Sequence, residues 1–187
     1  MTAAVGVAAA EAVGEVLGGG GGAVRLKWPN DLVAGDPARK LSGILAESVI
    51  EDGRVAALVV GIGINVNWPA ELPTELSAIA TSANHLAGGE VDRRAVLIDL
   101  VRRFDHWYGD LGTPAGRGAL LGRYRELSAT LGRRVRVEVP GETVIGDAVD
   151  VTTEGHLLVV DECPDRPREI VAGDVIHLRP ADRGPET

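Results

Sequence analysis

Cysteine is nearly missing from this 187-residue chain, where Cys163 stands alone. A single cysteine forms no intrachain disulfide and no cysteine-based zinc site, and it fits a reducing cytoplasm. The four histidines, His85, His106, His156 and His177, are scattered and share no metal-ligand spacing. An excess of positive charge is also missing. Nineteen Lys and Arg stand against 27 Asp and Glu, a formal net charge of −8. That excludes a broad phosphate-neutralising surface for non-specific nucleic-acid binding, while leaving room for one local anion site. There is no membrane-length apolar run. Met1 to Leu17 is rich in Ala and Val, but no basic side chain precedes Arg25, and Glu11 and Glu15 interrupt the run. It is neither a signal peptide nor a membrane span.

What is present reads as a globular protein. Apolar residues make up 45% and charged residues 25%, enough for a buried core in one domain of ordinary size, or in one plus a small companion. Val5, Ala9, Ala12, Val13, Val16 and Leu17 recur at helical spacing and predict an amphipathic helix ended by Gly18 to Gly22. Short strands are predicted at Val24 to Lys27 and Leu32 to Ala34. A longer strand over Lys40 to Ile50 meets Asp52-Gly53, a hairpin signal, and pairs with a strand within Arg54 to Asn67. The run Val55 to Val60 predicts burial on both faces. Helices are predicted near Ser77 to Leu86, from an Asp92 cap to Tyr108, and from Ala115 to Thr130. The second carries a stripe of Leu97, Leu100, Val101, Phe104, Trp107 and Tyr108, and the third one of Leu120, Leu121, Tyr124, Leu127 and Leu131. From Arg134 the helical period vanishes, and four or five short strands predict a small barrel. The expected division is 1–130 for a mixed α/β domain, 131–180 for the barrel and 181–187 for a frayed tail.

Three segments offer chemistry. Gly61-Ile62-Gly63-Ile64-Asn65-Val66 begins like a dinucleotide fingerprint but has Val66 where the last glycine belongs, and a Pro-containing loop follows it. Its glycines fit either tight packing or close approach of a ligand to strand backbone. Lys27-Trp28-Pro29-Asn30-Asp31 sets a cation, an aromatic, a carboxamide and a carboxylate at the end of a strand, as a turn or as a site. Lys40-Leu41-Ser42-Gly43-Ile44-Leu45-Ala46-Glu47 opens a strand with a cation, either solvated or holding a carboxylate or phosphate.

Taken in order, these segments resemble the KWPND, KLxGILxE and GxGIN blocks of the biotin protein ligase family, and the resemblance extends over nearly the whole chain. It implies an α/β fold of the α+β type, a mixed sheet with helices followed by an SH3-like barrel. It also implies ATP- and Mg²⁺-dependent activation of biotin to biotinyl-5′-AMP, then transfer to a lysine of the biotin carboxyl-carrier domain of a biotin-dependent carboxylase. By motif position, Lys40 contacts biotin and the adenylate and offsets charge at the α-phosphate. Gly43, Ile44 and Leu45 line the biotin pocket, and Gly61 and Gly63 let biotin lie on strand backbone. Asn65 is on the nucleotide side, and Lys27 and Asn30 are on the phosphate or metal side. Asp31 is a catalytic carboxylate near Mg²⁺ or near the acceptor lysine. Trp68 is either an adenine stack or a lid over the core.

The family's upstream Gly/Arg-rich loop of the type GRGRxGR is missing from this sequence, as are the strands before it and the winged helix of repressor-type members. The expectation is therefore a C-terminal portion, poorly active alone, with apolar sheet surface exposed to aggregation or a completing partner. It binds no DNA and no membrane, and a homodimer is among its allowed assemblies. The competing expectation is a non-catalytic binding or interaction module. A lipoyl-type ligase shares the broad fold, but the three blocks are of the biotin kind.

Overall fold

The computed structural model describes residues 1–18, 24–161 and 166–177. Cys163, Gly19 to Gly22, Leu178 and the expected tail lie outside them. The chain divides into two compact units, one of Met1–Leu26 with Asn30–Leu127, the other of Lys27–Pro29 with Ser128–Thr187.

The first unit begins with helix α1 (Thr2–Val16), followed by β1 (Arg25–Lys27, its last residue counted with the second unit), β2 (Asp31–Ala34), β3 (Arg39–Glu51) and β4 (Arg54–Ile64) in one sheet of order β1-β2-β3-β4. In the expected mixed sheet the β2–β3 and β3–β4 pairings are antiparallel, and an isolated Lys40–Ala80 bridge is parallel. The β3–β4 turn is built on Asp52 and Gly53, both at positive φ, which matches the right-handed twist of a hairpin. Helix α1 is buried nearly all round rather than on one stripe, because β-strands and two later helices surround it. Its small residues permit this. A Cβ on Gly6 would lie 3.1 Å from Leu26 and 3.4 Å from Ile44, so glycine sets how closely α1 approaches the sheet.

Four more helices follow: α2 (Thr74–Ile79), α3 (Ala83–Ala87), α4 (Arg93–Asp110) and α5 (Pro114–Leu127). The single helix expected near Ser77 to Leu86 is two short ones. Between them Ala80 is extended and bridges Lys40, and the Thr81 N–H donates to the Lys40 carbonyl. Strand pairing wins there over helix continuation. Asp92 caps α4 as expected, accepting from the Arg94 and Ala95 amides.

Two expectations of burial are corrected. In α4 only Val96 is fully buried, while Leu97, Val101 and Tyr108 of the expected stripe are exposed. The face turned to α1 is partly polar. The Trp107 indole N–H and the Arg123 Nε donate to Glu11, and Arg103 lies 3.5 Å from the same carboxylate. The run Val55 to Val60 is not buried on both faces. β4 is the edge strand, and Val55 and Val59 are 63% and 60% exposed. Apolar continuity reports only that both faces suit cover, and among the described residues α1 covers the near end of the hairpin alone.

The second unit holds β5 (Arg134–Val139), β6 (Glu142–Val151), β7 (Leu157–Val160), β8 (Arg168–Ile170) and β9 (Asp174–His177), antiparallel in the order β8-β7-β6-β5-β9. Val135, Val137, Val144, Leu157, Val159 and Val175 alternate inward to form its core. The strands expected of the barrel are present as this sheet. No β8–β9 pairing closes it among the described residues.

Candidate active site

The site grows from an irregularity in β3. Leu32 of β2 pairs with Ser42, but Val33 pairs with Lys40, so Leu41 is an extra residue in the ladder. A bulge of this kind shifts the alternation of side chains. Leu41 and Ser42 are both buried in sequence, while Lys40 comes onto the same side as Gly43, three residues on. A regular strand would put Lys40 and Gly43 on opposite faces.

Lys40 Nζ then lies 2.7 Å from Asp31 Oδ1, with side chains 51% and 20% exposed. Asp31 is the cross-strand partner of Gly43. A Cβ on Gly43 would stand 3.3 Å from Lys40 Cε and 3.4 Å from Nζ, so the ion pair occupies space that a side chain there would crowd. Across the next pairing Gly43 faces Gly63, and Leu45 faces Gly61. The glycines remove side chains from one face of two neighbouring strands. The result is a cleft of about 470 Å³ lined by Asn30, Gly43, Ile44, Leu45, Gly61, Ile62 and Gly63. Ile44 turns its side chain into the core, so it offers the cleft backbone, while Leu45 is 64% exposed and offers an apolar surface.

Asparagines fix the rim. Asn30 Nδ2 donates to the Ile44 carbonyl at 2.7 Å, and the Ile44 N–H donates to the Asn30 carbonyl at 2.8 Å. Asn65 joins β3 through its own N–H to the Leu41 carbonyl, and its Nδ2 donates to the Thr81 carbonyl. Both amides therefore serve the scaffold as well as any ligand. Trp68 is half-buried and clamped by Asn84, which accepts from its N–H and donates to its carbonyl. Neither Asn65 nor Trp68 lines the cleft. Lys27 belongs to the second unit. There Trp28 is 3% exposed, its N–H donating to Thr130 Oγ1 and its indole N–H to the Gly155 carbonyl. In the same unit burial, then the charges of Lys27 and Arg133, lower His177 to about 4.

Facing glycines on adjacent strands beside a lysine–aspartate pair form a backbone-lined slot with one cation at its edge. Residues 2–65, which build that slot, match the Biotin/lipoate A/B protein ligase family, and residues 130–178 match the Biotin protein ligase C terminal domain. The chain belongs to the biotin protein ligase family. It is 33% identical over 184 residues to the biotin--[acetyl-CoA-carboxylase] ligase of Mycobacterium tuberculosis, covering 96% of this chain and 62% of that protein. It is 33% identical over 151 residues to the bifunctional ligase/repressor BirA of Bacillus subtilis, covering 80% of this chain and 45% of that one. The biotin protein ligase of Aquifex aeolicus, solved in complex with biotin and ATP, superposes with a TM-score of 0.75 at 27% identity, over 95% of this chain and 70% of that one. The chain thus spans about half to three-fifths of the curated relatives it matches. No described helix is long and apolar enough to cross a membrane.

Within this ligase-family chain Asp31 is a carboxylate beside the cleft. Asp31 is engaged by Lys40, and the described residues contain no cluster of three His, Cys, Asp or Glu groups. Magnesium carried with substrate phosphates takes only one or two protein carboxylates, and Asp31 would supply one here. Ala80 and Thr81 lie against Lys40, and no local signal announces the Leu41 bulge. Thr81 Oγ1 and Ser42 Oγ are buried without a hydrogen-bond partner among the described residues.

Proposed function

We propose that this chain carries the biotin-binding wall of a biotin protein ligase. The supporting observation is the slot at Gly43/Gly63 and Leu45/Gly61, with the Lys40 ammonium at its end. Biotin is flat, with polar ureido edges. Strand backbone stripped of side chains accepts such a ring closely, and Leu45 supplies an apolar contact. In the proposed reaction a biotin carboxylate oxygen attacks the α-phosphorus of ATP, and pyrophosphate leaves. The amine of a lysine on a biotin carboxyl-carrier domain then attacks the acyl carbon, AMP leaves, and an amide forms. Lys40 offsets negative charge at the α-phosphate during the first step. Asp31 orients Lys40, and proximity to the incoming amine is its second proposed role. Asn65 is proposed on the nucleotide side, and Lys27 and Asn30 on the phosphate or metal side.

The chain by itself is proposed to be poorly active. Gly61, Gly63 and Leu45 are exposed, and no described residue covers the cleft. Adenylate chemistry gains from exclusion of water. The test is calorimetry with biotin and with lipoate, followed by an assay with ATP, Mg²⁺ and a carrier domain. Binding of biotin in preference to lipoate, with little turnover, supports the reading. No biotin binding, or preference for lipoate, overturns the assignment, and robust turnover overturns the inactivity. Biotin binding with no adenylate at all favours a non-catalytic binding module.

A further inference from the structure

Thr130 is fully buried, and its hydroxyl has two partners in the second unit. The Trp28 N–H donates to Oγ1 at 3.0 Å, and His177 Nε2 lies 3.2 Å from the same oxygen. His177 is neutral at neutral pH, because burial and the cations Lys27 and Arg133 disfavour its charged form. With Nδ1 protonated, Nε2 accepts. The pattern that uses every group is then Trp28 N–H into Thr130 Oγ1 and Thr130 O–H into His177 Nε2. The opposite tautomer strands the buried Thr130 proton without an acceptor among the described residues, an expensive outcome. Pro29 has no N–H, so the Trp28 amide is the last backbone donor before Asn30. The Trp28 indole, held by Gly155, adds a second anchor.

We propose that Thr130 and His177 form a clasp that positions the Lys27-Trp28-Pro29 segment and, on the ligase reading, presents Lys27 to the nucleotide phosphates. Neither residue touches substrate; both act through Trp28. The clasp has a proton-dependent release. Opening it returns His177 toward the ordinary histidine range near 6.5, and protonation then places a third positive charge beside Lys27 and Arg133. The closed form binds fewer protons, so acid favours the open form as pH falls from 6.5 toward about 4.

The experiment is hydrogen exchange of the Trp28 amide in the full chain, for the wild type, Thr130→Val, Thr130→Ser and His177→Gln. Thr130→Val is expected to speed exchange by about tenfold, the loss of roughly one buried hydrogen bond, and Thr130→Ser to restore protection. Wild-type protection, corrected for the intrinsic rate, is expected to fall by about tenfold from pH 7 to pH 5, and His177→Gln to remove that dependence. Unchanged exchange in Thr130→Val, or an undiminished pH dependence in His177→Gln, overturns the clasp. A second arm measures ATP binding by calorimetry in the presence of biotin. Several-fold weaker ATP binding by Thr130→Val, with biotin affinity unaltered, supports the role of Lys27. Faster Trp28 exchange with unaltered ATP affinity overturns that role. A wild-type chain that binds no ATP counts against the ligase reading and against the Lys27 role with it, while the exchange arm still decides the clasp.

Discussion

Gly43 and Gly63 face each other across β3 and β4, yet their missing side chains meet different surroundings. A Cβ at Gly43 would crowd Lys40, whereas one at Gly63 would meet nothing within 4 Å. Gly63→Ala is therefore expected to change stability by less than about 0.5 kcal/mol. It should weaken biotin binding by about tenfold, because the methyl occupies the slot. Urea denaturation and calorimetry on the same sample separate the two effects. Gly63→Ala with unchanged biotin affinity would show that biotin does not lie on this face.

Lys40→Met keeps the length of the side chain and removes its charge. In a longer, complete ligase chain carrying this change, adenylate formation under single-turnover conditions is expected to drop by about 10²-fold, as for loss of one preorganised electrostatic contact. The half-exposed position of Lys40 predicts an unchanged melting temperature. An active Lys40→Met variant would remove Lys40 from the chemistry.

The edge hairpin exposes Val55 and Val59 on β4. Lysine on an edge strand discourages pairing with another chain. Val55→Lys with Val59→Lys is expected to lower light scattering at high concentration and leave the monomer's stability within about 0.5 kcal/mol. If scattering rises or stays the same, self-association runs through another surface.

Glu11 gathers Trp107, Arg103 and Arg123 on one carboxylate that is 13% exposed. Glu11→Ala leaves two guanidinium groups and an indole N–H short of a partner between α1, α4 and α5. The expected cost is about 2–3 kcal/mol, read as a shift of the urea midpoint at constant slope. A shift below about 0.5 kcal/mol would mean that water replaces the carboxylate fully.

His177 gives stability a pH dependence of known sign. Its folded value, about 4, lies below the unfolded value. The unfolded chain therefore takes up a proton first as pH falls, and stability declines between about 6.5 and 4. About 1 kcal/mol between pH 7 and pH 5, allowing for solvent screening, is the expected loss. Denaturation of His177→Gln should show a shallower decline. Parallel curves would assign the acid sensitivity elsewhere.

The sequence was legible where local chemistry acts alone. Asp52-Gly53 marked its hairpin, Asp92 its helix cap, and the valines after Arg134 their alternating strands. It was illegible where distant partners decide. Leu97 and Val101 have the same character as a buried stripe, and only the polar contacts around Glu11 show that α4 turns another face to α1. Val55 to Val60 read as doubly buried because a strand's own residues do not say whether another layer covers it. At the cleft, Gly43, Leu45, Gly61 and Gly63 were found as a motif, and their facing registers required the fold. Thr130 and His177 were separated from Trp28 by more than 100 residues, with nothing in residue type to join them.

The extra residue at Leu41 gives β3 two independent phases. Upstream of it, position 40 answers to the cleft; downstream, positions 42 and 44 answer to the core. Deleting Leu41 would restore a single phase and force one requirement to yield, carrying either the ammonium inward or Ser42 and Ile44 outward. Each half of the strand is thus free to vary under its own constraint, and the length of the segment between Lys40 and Gly43 is held more tightly than the identity of the residue that fills it.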